Sequence, residues 1–579
     1  MSTASTATVN PDHATTLVAD RLARALARHD IEVMFSQSLP TRVVLACEDI
    51  GIRQVSYRTE NAGGAMADGY ARMSNKLGVV CAQNGPAATL LVPPLAEAFK
   101  ASIPVLAIVQ EVNRSDVDRN AFQEIDHIAL FQSCAKWVKR LPDGGRVEDY
   151  VDMAVVAATT GRPGPAVLLL PADILNEESD RTQSDRASAF GRWPLDPVVA
   201  APDRISEAAR LIASAEAPLV IAGGGVHGSG AAGVLAKLQE LASLPVATTM
   251  MGKGSVDDAH PLSVGLIGNV MGQLSPGHYT REIVDQADLV FIVGSRTNQN
   301  GTDSWRLFPS GARIVHLDID GMEVGRNFDS VRLVGDIRLT LEALLSELER
   351  TDLDKRRAKR KSIESQIASC LADHRADMRR HNETTAATLR PEHVMAALDE
   401  LTDAETTVVA DASYASVWTT CYLAAKAPGM RFLTPRGLAG LGWGLPLAVG
   451  ARLAKHDGRV VCLVGDGGFG HVWAELETLV RERIAVTLIV LNNGVLGYQK
   501  DAEIVKFGRH SGAVFFEPVD HCAIARACGC DAMAVRDLAD LTATLQQAMT
   551  HDGPILVEAF VDPGAHPPLT MFDGQSRAG

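Results

Sequence analysis

The sequence has 579 residues, of which 46% are hydrophobic and 22% charged, and its formal net charge is -15. This length and apolar content exclude a mainly disordered protein and predict about three or four domains. The 70 acidic side chains against 55 basic ones argue against a nucleic-acid partner, because non-specific binding to nucleic acid needs a basic surface.

The amino terminus, MSTASTATVNPDHATT, is polar and lacks the basic start and apolar stretch of a signal peptide. The chain also has no run of about 18 consecutive apolar residues, which argues against a membrane partner. These features predict a cytoplasmic protein. Nine cysteines spread thinly over the chain favour reduced, buried thiols over a disulfide framework.

Helical and apolar segments alternate in the first part of the chain, over residues 14–182. The segment LVADRLARALARHD has helical spacing, and the runs LGVVCAQ, IPVLAIV and PAVLLLPAD have the length and composition of buried strands. Such alternation is typical of a parallel sheet covered by helices. The polar stretch NEESDRTQSDRAS that follows has almost nothing to bury, which predicts a linker.

A second α/β region is predicted over residues 200–350. Its strands APLVIAGGG, LPVATTMMGKG, ADLVFIVGSR and ARIVHLDID end in glycine or a polar residue, where ligands of open α/β sheets usually bind. The glycines at 223–225 fit a nucleotide-binding turn, but a tight strand-to-helix turn needs glycine with or without a nucleotide. Both interpretations stay open on these residues alone.

A third α/β region is predicted over residues 390–568, with strands in TTVVAD, RVVCLVGDG, AVTLIVLNN and PILVEAFV. A basic run at 355–361 precedes it, and this run predicts a solvated helix face at a domain boundary. The predicted fold class is therefore α/β, with three α/β domains built on mainly parallel sheets.

The most informative segment joins two strands of the third region. One strand leads into Gly465, Asp466, Gly467 and Gly468 at a helix start, and the next leads into Asn493, 27 positions after Asp466. Glycine lets backbone N–H groups approach phosphate oxygens, and carboxylate and amide oxygens suit a magnesium ion that also binds phosphate. A tight turn with a helix cap would explain the glycines but not the second loop at matching strand depth. The segment therefore predicts a site for magnesium and a diphosphate.

GDG, then 24 residues, then NN resembles the thiamine diphosphate signature of the family that includes acetolactate synthase, pyruvate decarboxylase and benzoylformate decarboxylase. The resemblance covers residues 15–568, nearly the whole chain. It implies a pyrimidine-binding domain at 14–182, a central Rossmann-like domain at 200–350, and a domain at 390–568 that binds the diphosphate and Mg²⁺.

The resemblance also assigns roles to individual residues. It implies that Asp466, Asn493 and the backbone carbonyl of Val495 hold the metal ion. Glu60, in RTENAGGAMADGYAR, would hydrogen-bond N1′ of the aminopyrimidine and so promote loss of the proton from C2 of the thiazolium. Taken alone, such a glutamate is usually a cap or a first-turn acid of a helix. Leu441, in RGLAGLGWGLPLAVGA, falls where an apolar side chain wedges between the two cofactor rings.

Further residues are assigned by the same resemblance. Those expected at thiamine diphosphate are Asn84, Gly85, Ser413, Tyr414, Gly440, Leu441, Gly465, Asp466, Gly467, Gly468, Asn493, Val495, Leu496, Gly497 and Tyr498. Those expected in the substrate funnel are Ser36, Glu111, Phe122, Gln123 and Gln499. Those expected at a nucleotide in the central domain are Gly223, Gly224, Met250, Arg296, Asp318, Ile319 and Asp336. Relatives use this domain for FAD, for ADP or for nothing, and FAD would have a structural role.

The chain departs from acetolactate synthases at positions expected near the substrate, near the diphosphate and in the central domain. FSQSLP stands where they have GYPGG, Glu111 where they have glutamine and Ala172 where they have lysine. Ser413 begins SYA where they have GQH, RTNQN replaces their RFDDR, and the tryptophan after their LGMV has no counterpart. Glu60, Leu441 and the metal positions are intact. These changes leave the donor and acceptor open.

The implied activity is thiamine diphosphate- and Mg²⁺-dependent decarboxylation or C–C cleavage of a 2-oxo acid or ketone, with acyl transfer to an acceptor. A simple 2-oxo acid decarboxylase, a C–C lyase or a 1,2-dione hydrolase on the same scaffold is the alternative. Intact Glu60, Asp466 and Asn493 argue against a catalytically silent homologue. Because Glu60 and Asp466 lie on domains that the family joins across a subunit boundary, a homodimer or homotetramer with shared active sites is expected.

Overall fold

The computed structural model describes residues 16–179, 187–455 and 457–572. Within these ranges the chain forms three six-stranded parallel sheets and one two-stranded antiparallel ribbon. Helices connect the strands of each sheet, which confirms the predicted fold class of three α/β domains. The amino-terminal residues 1–15 and residues 180–186 of the predicted linker lie outside the described residues.

The first domain has a sheet whose central strands are continuous apolar runs. Its strands are β1 (Thr16–Leu17), β2 (Val33–Ser36), β3 (Arg53–Ser56), β4 (Gly78–Ala82), β5 (Val105–Glu111), β6 (Trp137–Arg140), β7 (Ala166–Pro171) and β8 (Glu178–Ser179). Its helices are α1 (Val18–Arg28), α2 (Thr41–Asp49), α3 (Glu60–Ser74), α4 (Pro86–Ala101), α5 (His127–Phe131) and α6 (Val147–Thr159). The sheet order is β3-β2-β4-β5-β7-β6, and β1 pairs antiparallel with β8. Strands β4 and β7 are buried throughout, as expected of parallel strands covered on both faces.

The central domain is a second parallel sheet. Its elements are α7 (Pro202–Ser214), β9 (Pro218–Ala222), α8 (Gly225–Gly228), α9 (Ala232–Leu241), β10 (Val246–Thr248), β11 (Ser263–Leu266), α10 (Pro276–Tyr279), α11 (Arg281–Asp285), β12 (Leu289–Val293), β13 (Arg313–Asp318), β14 (Val331–Val334) and α12 (Ile337–Leu348). The sheet order is β11-β10-β9-β12-β13-β14. The long helix α13 (Asp354–Thr384) contains the basic run and leads to the third domain.

The third domain carries the diphosphate motif. Its elements are α14 (Pro391–Leu401), β15 (Thr407–Ala410), α15 (Tyr414–Tyr422), β16 (Phe432–Leu433), α16 (Gly444–Ala454), β17 (Val460–Gly465), α17 (Asp466–Phe469), α18 (Glu475–Arg481), β18 (Thr487–Asn492), α19 (Gly497–Phe507), α20 (His521–Ala527), β19 (Asp531–Val535), α21 (Leu538–Met549) and β20 (Ile555–Phe560). The sheet order β16-β15-β17-β18-β20-β19 repeats that of the first domain strand for strand. In an open sheet of this kind, ligands bind at the carboxyl ends of the strands where the order reverses. In the third domain this place lies between β15 and β17.

Helix α3 of the first domain packs directly on α16 of the third. A Cβ at Gly69 would lie 2.3 Å from the carbonyl oxygen of Leu447, and one at Gly450 would lie 2.0 Å from that of Met66. These two glycines therefore let the helix backbones touch, and the buried apolar side chains of both domains form one continuous cluster. Helix α3, which begins at Glu60, is thereby fixed against the third domain of its own chain.

No helix among the described residues combines the length and the apolar composition needed to cross a membrane.

Candidate active site

A cleft opens in the third domain at the carboxyl ends of β15, β17 and β18. It is lined by Pro391, Asp411, Ala412, Ser413, Tyr414, Ala415, Trp418, Leu441, Gly465, Asp466, Gly467, Gly468, Leu491, Asn493, Val495, Leu496, Gly497, Val561 and Ala565. The two loops of the GDG and NN motifs therefore meet here, as the spacing predicts. Of the cofactor residues predicted in this domain, Gly440 and Tyr498 lie outside the lining.

Asp466 is a buried carboxylate at the base of this cleft, with 8% of its surface exposed. Its Oδ2 accepts a hydrogen bond from the backbone N–H of Gly494 at 3.0 Å, and the described residues give it no ion-pair partner. Burial raises the pKa of Asp466. Buried carboxylates normally have a cation beside them, so this side chain fits a metal ion.

Asn493 and Val495 complete the predicted metal loop. The Oδ1 of Asn493 accepts a hydrogen bond from the backbone N–H of Val495 at 3.2 Å, so the loop turns back on itself beside Asp466. A Cβ at Gly465 would meet no atom within 4 Å, whereas one at Gly468 would lie 2.2 Å from Oδ2 of Asp411. The loop is thus open at Gly465 and tightly packed at Gly468. Hard oxygen donors beside a glycine turn at a helix start suit Mg²⁺ with a diphosphate.

Asp411 is a buried site residue that the sequence reasoning did not find. It follows β15 directly, is 1% exposed, and accepts hydrogen bonds from the backbone N–H groups of Gly442 (2.9 Å), Trp443 (3.0 Å) and Gly444 (3.1 Å). Burial raises the pKa of Asp411, while these backbone hydrogen bonds act in the opposite direction. An acid at the carboxyl end of a parallel strand was the available signal.

Glu97, a residue of the first domain, binds the amino-terminal part of the segment whose later N–H groups Asp411 binds. Its carboxylate accepts hydrogen bonds from the backbone N–H groups of Gly437 (2.8 Å), Leu438 and Ala439 (3.2 Å), and it pairs with Arg72. Two buried acids therefore hold the chain on either side of Leu441, whose side chain lines the cleft. The wedge role expected of Leu441 would require such a fixed position.

We expect Asp411→Asn to release this segment. An amide is neutral and offers one acceptor oxygen, so at least one of the three backbone N–H groups loses its acceptor, which costs about 2 kcal/mol. The free energy of unfolding should fall by about that amount, and cofactor affinity should fall with it. Denaturant unfolding and cofactor titration measure the two effects, with the exposed Asp540→Asn as control. Wild-type values for both would contradict the positioning role of Asp411.

The loop before α15 is held in a strained conformation. Ser413 has φ 66° and ψ -140°, in a region that is essentially confined to glycine, at the position where acetolactate synthases have the glycine of GQH. The next residue, Tyr414, donates a hydrogen bond from its hydroxyl to Oδ2 of Asp501 at 2.5 Å and packs edge-on against Tyr498. Tyr498 thus supports Tyr414 from outside the cleft.

Glu60 is the first residue of α3 and lies half-buried, outside the lining of the third-domain cleft. The buried carboxylate of Glu475 accepts hydrogen bonds from the backbone N–H groups of Arg58 (3.0 Å) and Thr59 (3.2 Å), and Thr59 caps the helix. Burial raises the pKa of Glu475. A third-domain acid therefore fixes the start of the helix that carries Glu60, which the sequence did not reveal.

The first-domain loop at Asn84 and Gly85 is covered by the AFQEID segment. The Nδ2 of Asn84 donates a hydrogen bond to the carbonyl oxygen of Phe122 at 3.1 Å, and a Cβ at Gly85 would lie 2.7 Å from Cβ of Gln123. The ring of Phe122 is 82% exposed. The buried Oε1 of Gln123 has no hydrogen-bond partner among the described residues. The four residues therefore lie together, and among them Phe122 presents an apolar ring to solvent.

Glu111, one of the predicted funnel residues, binds side chains of its own domain. Its carboxylate pairs with Arg140 and with Nδ1 of His127 at 3.2 Å, and Nε2 of His127 accepts a hydrogen bond from the backbone N–H of Gly85 at 3.0 Å. Although burial acts to raise it, the hydrogen bonds from Arg140 and His127 hold the pKa of Glu111 below its usual value. Glu111 thus orients His127 beneath the Gly85 loop.

The two remaining funnel residues also lie apart from the cleft. Ser36 is buried and donates a hydrogen bond to Oε1 of Gln54 at 3.1 Å, whereas Gln499 is exposed and donates one to Glu503 at 3.0 Å. None of the five predicted funnel residues lines the third-domain cleft of the single chain.

A second cleft lies at the carboxyl ends of the central-domain strands, with ≈ 1520 Å³ of empty space including its open mouth. All three domains contribute to its walls. Of the seven predicted nucleotide residues, six line it, namely Gly224, Met250, Arg296, Asp318, Ile319 and Asp336. Gly223 lies beneath, where a Cβ would approach the carbonyl oxygen of Gly294 to 2.3 Å. Six of the predicted nucleotide residues therefore meet at one open cleft, which makes a nucleotide its candidate ligand.

The charges in this central cleft suit a nucleotide. Arg296, Arg431 and Arg436 line it without an ion pair among the described residues, which fits an anionic ligand. Asp318 is 9% exposed, and burial raises its pKa to about 6. An acid at the end of a central-domain strand suits the hydroxyl groups of a ribose. Arg431 and Arg436, which come from the third domain, were not found by sequence reasoning about the central domain.

Comparisons with known proteins agree with this architecture. Models of the "Thiamine pyrophosphate enzyme" family match the chain as the N-terminal TPP binding domain at residues 16–130, the central domain at 205–344 and the C-terminal TPP binding domain at 411–559. The chain is similar over nearly its full length to several proteins. They are the "Probable acetolactate synthase large subunit" of Methanococcus aeolicus (31% identity over 94% of this chain and 92% of the relative), the "Acetolactate synthase" of Arthrospira platensis (32% over 93% and 93%) and the chloroplastic enzyme of Arabidopsis thaliana (30% over 93% and 80%).

Proposed function

The chain belongs to the thiamine diphosphate (thiamine pyrophosphate) enzymes, and we propose that it uses this cofactor with Mg²⁺ to cleave a 2-oxo acid or related ketone and to transfer the acyl group to an acceptor. The observation that carries the proposal is the buried carboxylate of Asp466, which meets the Asn493 loop in a glycine-lined cleft at the sheet edge. The names of the relatives support a 2-oxo acid donor and acyl transfer.

In this proposal Asp466, the Asn493 side chain and the carbonyl oxygen of Val495 hold Mg²⁺, and the backbone N–H groups near Gly465 and Gly467 bind the diphosphate. Glu97 and Asp411 hold the Leu441 segment from either side, as described above. When bound, thiamine diphosphate supplies the stabilisation of a carbanion that no side chain of the protein can provide. The protein binds it, orients its rings and excludes water.

We further propose that the active unit is a homodimer or a homotetramer with shared sites. The cleft is lined by residues between Pro391 and Ala565, with no contribution from the first domain, and Glu60 lies outside it. A cofactor seated there would need the pyrimidine-binding side from a second copy. Exposed aromatic side chains beside both halves, including Phe122 at 82% and Phe515 at 52%, support a surface that a second copy covers.

For the central cleft we propose an adenine nucleotide, with FAD as the first candidate. Asp318 would accept hydrogen bonds from ribose hydroxyl groups, and the glycine turn at 223–225 leaves room for a diphosphate. Acyl transfer between carbonyl compounds needs no net oxidation, so FAD would have a structural role.

The raised pKa of Asp318 predicts that the free energy of unfolding of the ligand-free protein depends on pH. The pKa of about 6 in the folded state lies above the ordinary value of 3.8, so ionisation is unfavourable in the folded protein. The protonated carboxyl therefore contributes its full stabilisation below about pH 4, and this contribution is lost as the pH rises through about 6. The free energy of unfolding should fall by about 3 kcal/mol over this range.

We therefore expect Asp318→Asn to be more stable than the wild type at pH 7.5, with a difference that shrinks towards pH 4. Thermal unfolding of the ligand-free proteins across this range measures it. The same substitution should weaken nucleotide binding. A stability difference that grows as the pH falls would contradict the assignment.

The altered residues near the substrate leave a simple decarboxylase, a C–C lyase or a 1,2-dione hydrolase as the second candidate function. The departures at Ser36–Pro40 and Ala172 favour a donor or acceptor unlike that of acetolactate synthase. An NMR product profile of the purified protein with thiamine diphosphate, Mg²⁺ and pyruvate tests the proposal. Acetolactate would support acyl transfer, acetaldehyde alone would favour the decarboxylase, and absence of turnover would reject pyruvate as donor.

A further inference from the structure

The central cleft presents different chemistry along its length. In the strand order β11-β10-β9-β12-β13-β14, Asp318 ends β13 on one side, the glycine turn after β9 lies in the middle, and Met250 follows β10 on the other side. A ligand lying across the strand ends would therefore meet the carboxylate, then the glycine turn, then Met250. The Asp318 side and the turn suit an adenosine with its diphosphate, as proposed above.

Arg436 lies at the Met250 end of this cleft. Its Nη2 donates a hydrogen bond to Sδ of Met250 at 2.9 Å, and the side chain forms no ion pair among the described residues. A thioether is a weak acceptor, and a guanidinium has five N–H donors, so most of the donors of Arg436 are left for a ligand. Burial lowers the pKa of Arg436, but an arginine stays charged in proteins.

Three other arginines of the cleft have protein partners, while Arg296, which follows β12 next to the glycine turn after β9, forms no ion pair among the described residues. Arg72 pairs with Asp68 and Glu97, Arg162 lies within 3.5 Å of carboxylates of the central domain, and Arg431 donates to the carbonyl oxygen of Arg72 at 2.7 Å. Arg436 begins the segment RGLAGLG, which also carries Leu441 of the third-domain cleft.

We propose that Arg436 binds the half of a dinucleotide that extends beyond the diphosphate, so that the cleft selects a dinucleotide over ADP. The proposal rests on nucleotide binding in the central cleft. Planar guanidinium groups bind planar, acceptor-rich edges through paired hydrogen bonds, and the pyrimidine edge of a flavin offers such carbonyl and ring-nitrogen acceptors. ADP ends before this part of the cleft and leaves Arg436 without a contact.

Equilibrium binding of FAD and of ADP to the purified full-length protein tests this. The proteins are the wild type, Arg436→Met, and Arg210→Met as a matched control, because Arg210 is an exposed residue of α7 away from the cleft. The wild type should bind FAD more tightly than ADP. Arg436→Met should weaken FAD binding by about tenfold or more, the loss expected for hydrogen bonds to a charged group. Its affinity for ADP should stay within about twofold of wild type.

Retained ADP binding by Arg436→Met also shows that the variant is folded. Arg210→Met should match the wild type for both ligands. Equal losses of FAD and ADP affinity would place Arg436 on the shared half of the ligands and overturn the proposal, and unchanged FAD affinity would overturn it as well. A wild-type protein that binds neither ligand would reject the nucleotide function itself, together with this inference.

Discussion

Glu60→Gln is expected to lower turnover by about 10²- to 10⁴-fold while leaving cofactor binding intact. The amide keeps the shape of the side chain but cannot exchange a proton with the aminopyrimidine, and positioned acid–base groups contribute about this much to enzyme rates. A readout that needs no substrate is the exchange of the C2 proton of bound thiamine diphosphate for deuterium, followed by acid quench and NMR. This exchange should slow by a similar factor.

The control for Glu60→Gln is Glu48→Gln, an exposed residue at the end of α2 in the same domain. It should retain wild-type turnover and proton exchange. Unchanged exchange in Glu60→Gln would remove Glu60 from its proposed role. Loss of cofactor binding in that variant would instead make Glu60 a binding residue.

Asp466→Ala is expected to abolish Mg²⁺-dependent retention of the cofactor. Truncating one partner of a buried charged contact costs about 2–5 kcal/mol, so affinity should fall by roughly 30-fold or more. Thiamine diphosphate titration at fixed Mg²⁺, with and without EDTA, measures this. The wild type should lose the cofactor on chelation, whereas the variant should hold little in either condition.

Asp540→Ala serves as the control for Asp466→Ala, because Asp540 is exposed on α21 of the same domain. It should bind the cofactor as the wild type does. Normal Mg²⁺-dependent retention by Asp466→Ala would contradict the metal assignment, whatever the catalytic activity.

The fold and the third-domain cleft could be predicted because their signals are local. Continuous apolar runs such as β4 and β17 specify buried parallel strands, and each is followed by the loop that carries its chemistry. Glycine and hard oxygen donors at two adjacent strand ends, Gly465 and Asn493, then place a diphosphate and a metal ion at one edge of the sheet. The cleft brings those two loops together, and binding of Mg²⁺ there stays a proposal.

The site residues that could not be predicted from the sequence bind backbone N–H groups of segments far away along the chain. Glu97 binds N–H groups of Gly437 and Leu438, 340 and 341 positions away, and Glu475 binds those of Arg58 and Thr59. Any residue can supply a backbone N–H, so no motif marks such partners. They become visible only when the packing of α3 on α16 is known.

The funnel residue Glu111 shows a second limit of sequence reasoning. Its place at the end of β5 is readable from the chain, but its pairing with Arg140 depends on the adjacent arrangement of β5, β7 and β6. An acid at a strand end can face a ligand or a cation of the protein, and here it faces Arg140 and His127. The strained backbone at Ser413 could not be predicted from the sequence either, because a residue type does not specify its φ and ψ.

The central claim is that each active centre joins the third-domain cleft of one chain to Glu60 of another. It is tested most directly by co-expressing Glu60→Gln and Asp466→Ala with different affinity tags and purifying the mixed dimer. In a shared arrangement the mixed dimer has one site with both residues intact and one with neither. C2 proton exchange should therefore return to about half of the wild-type value per dimer. Exchange no faster than in the two variants alone would contradict the claim, because it would mean that both residues act within one chain.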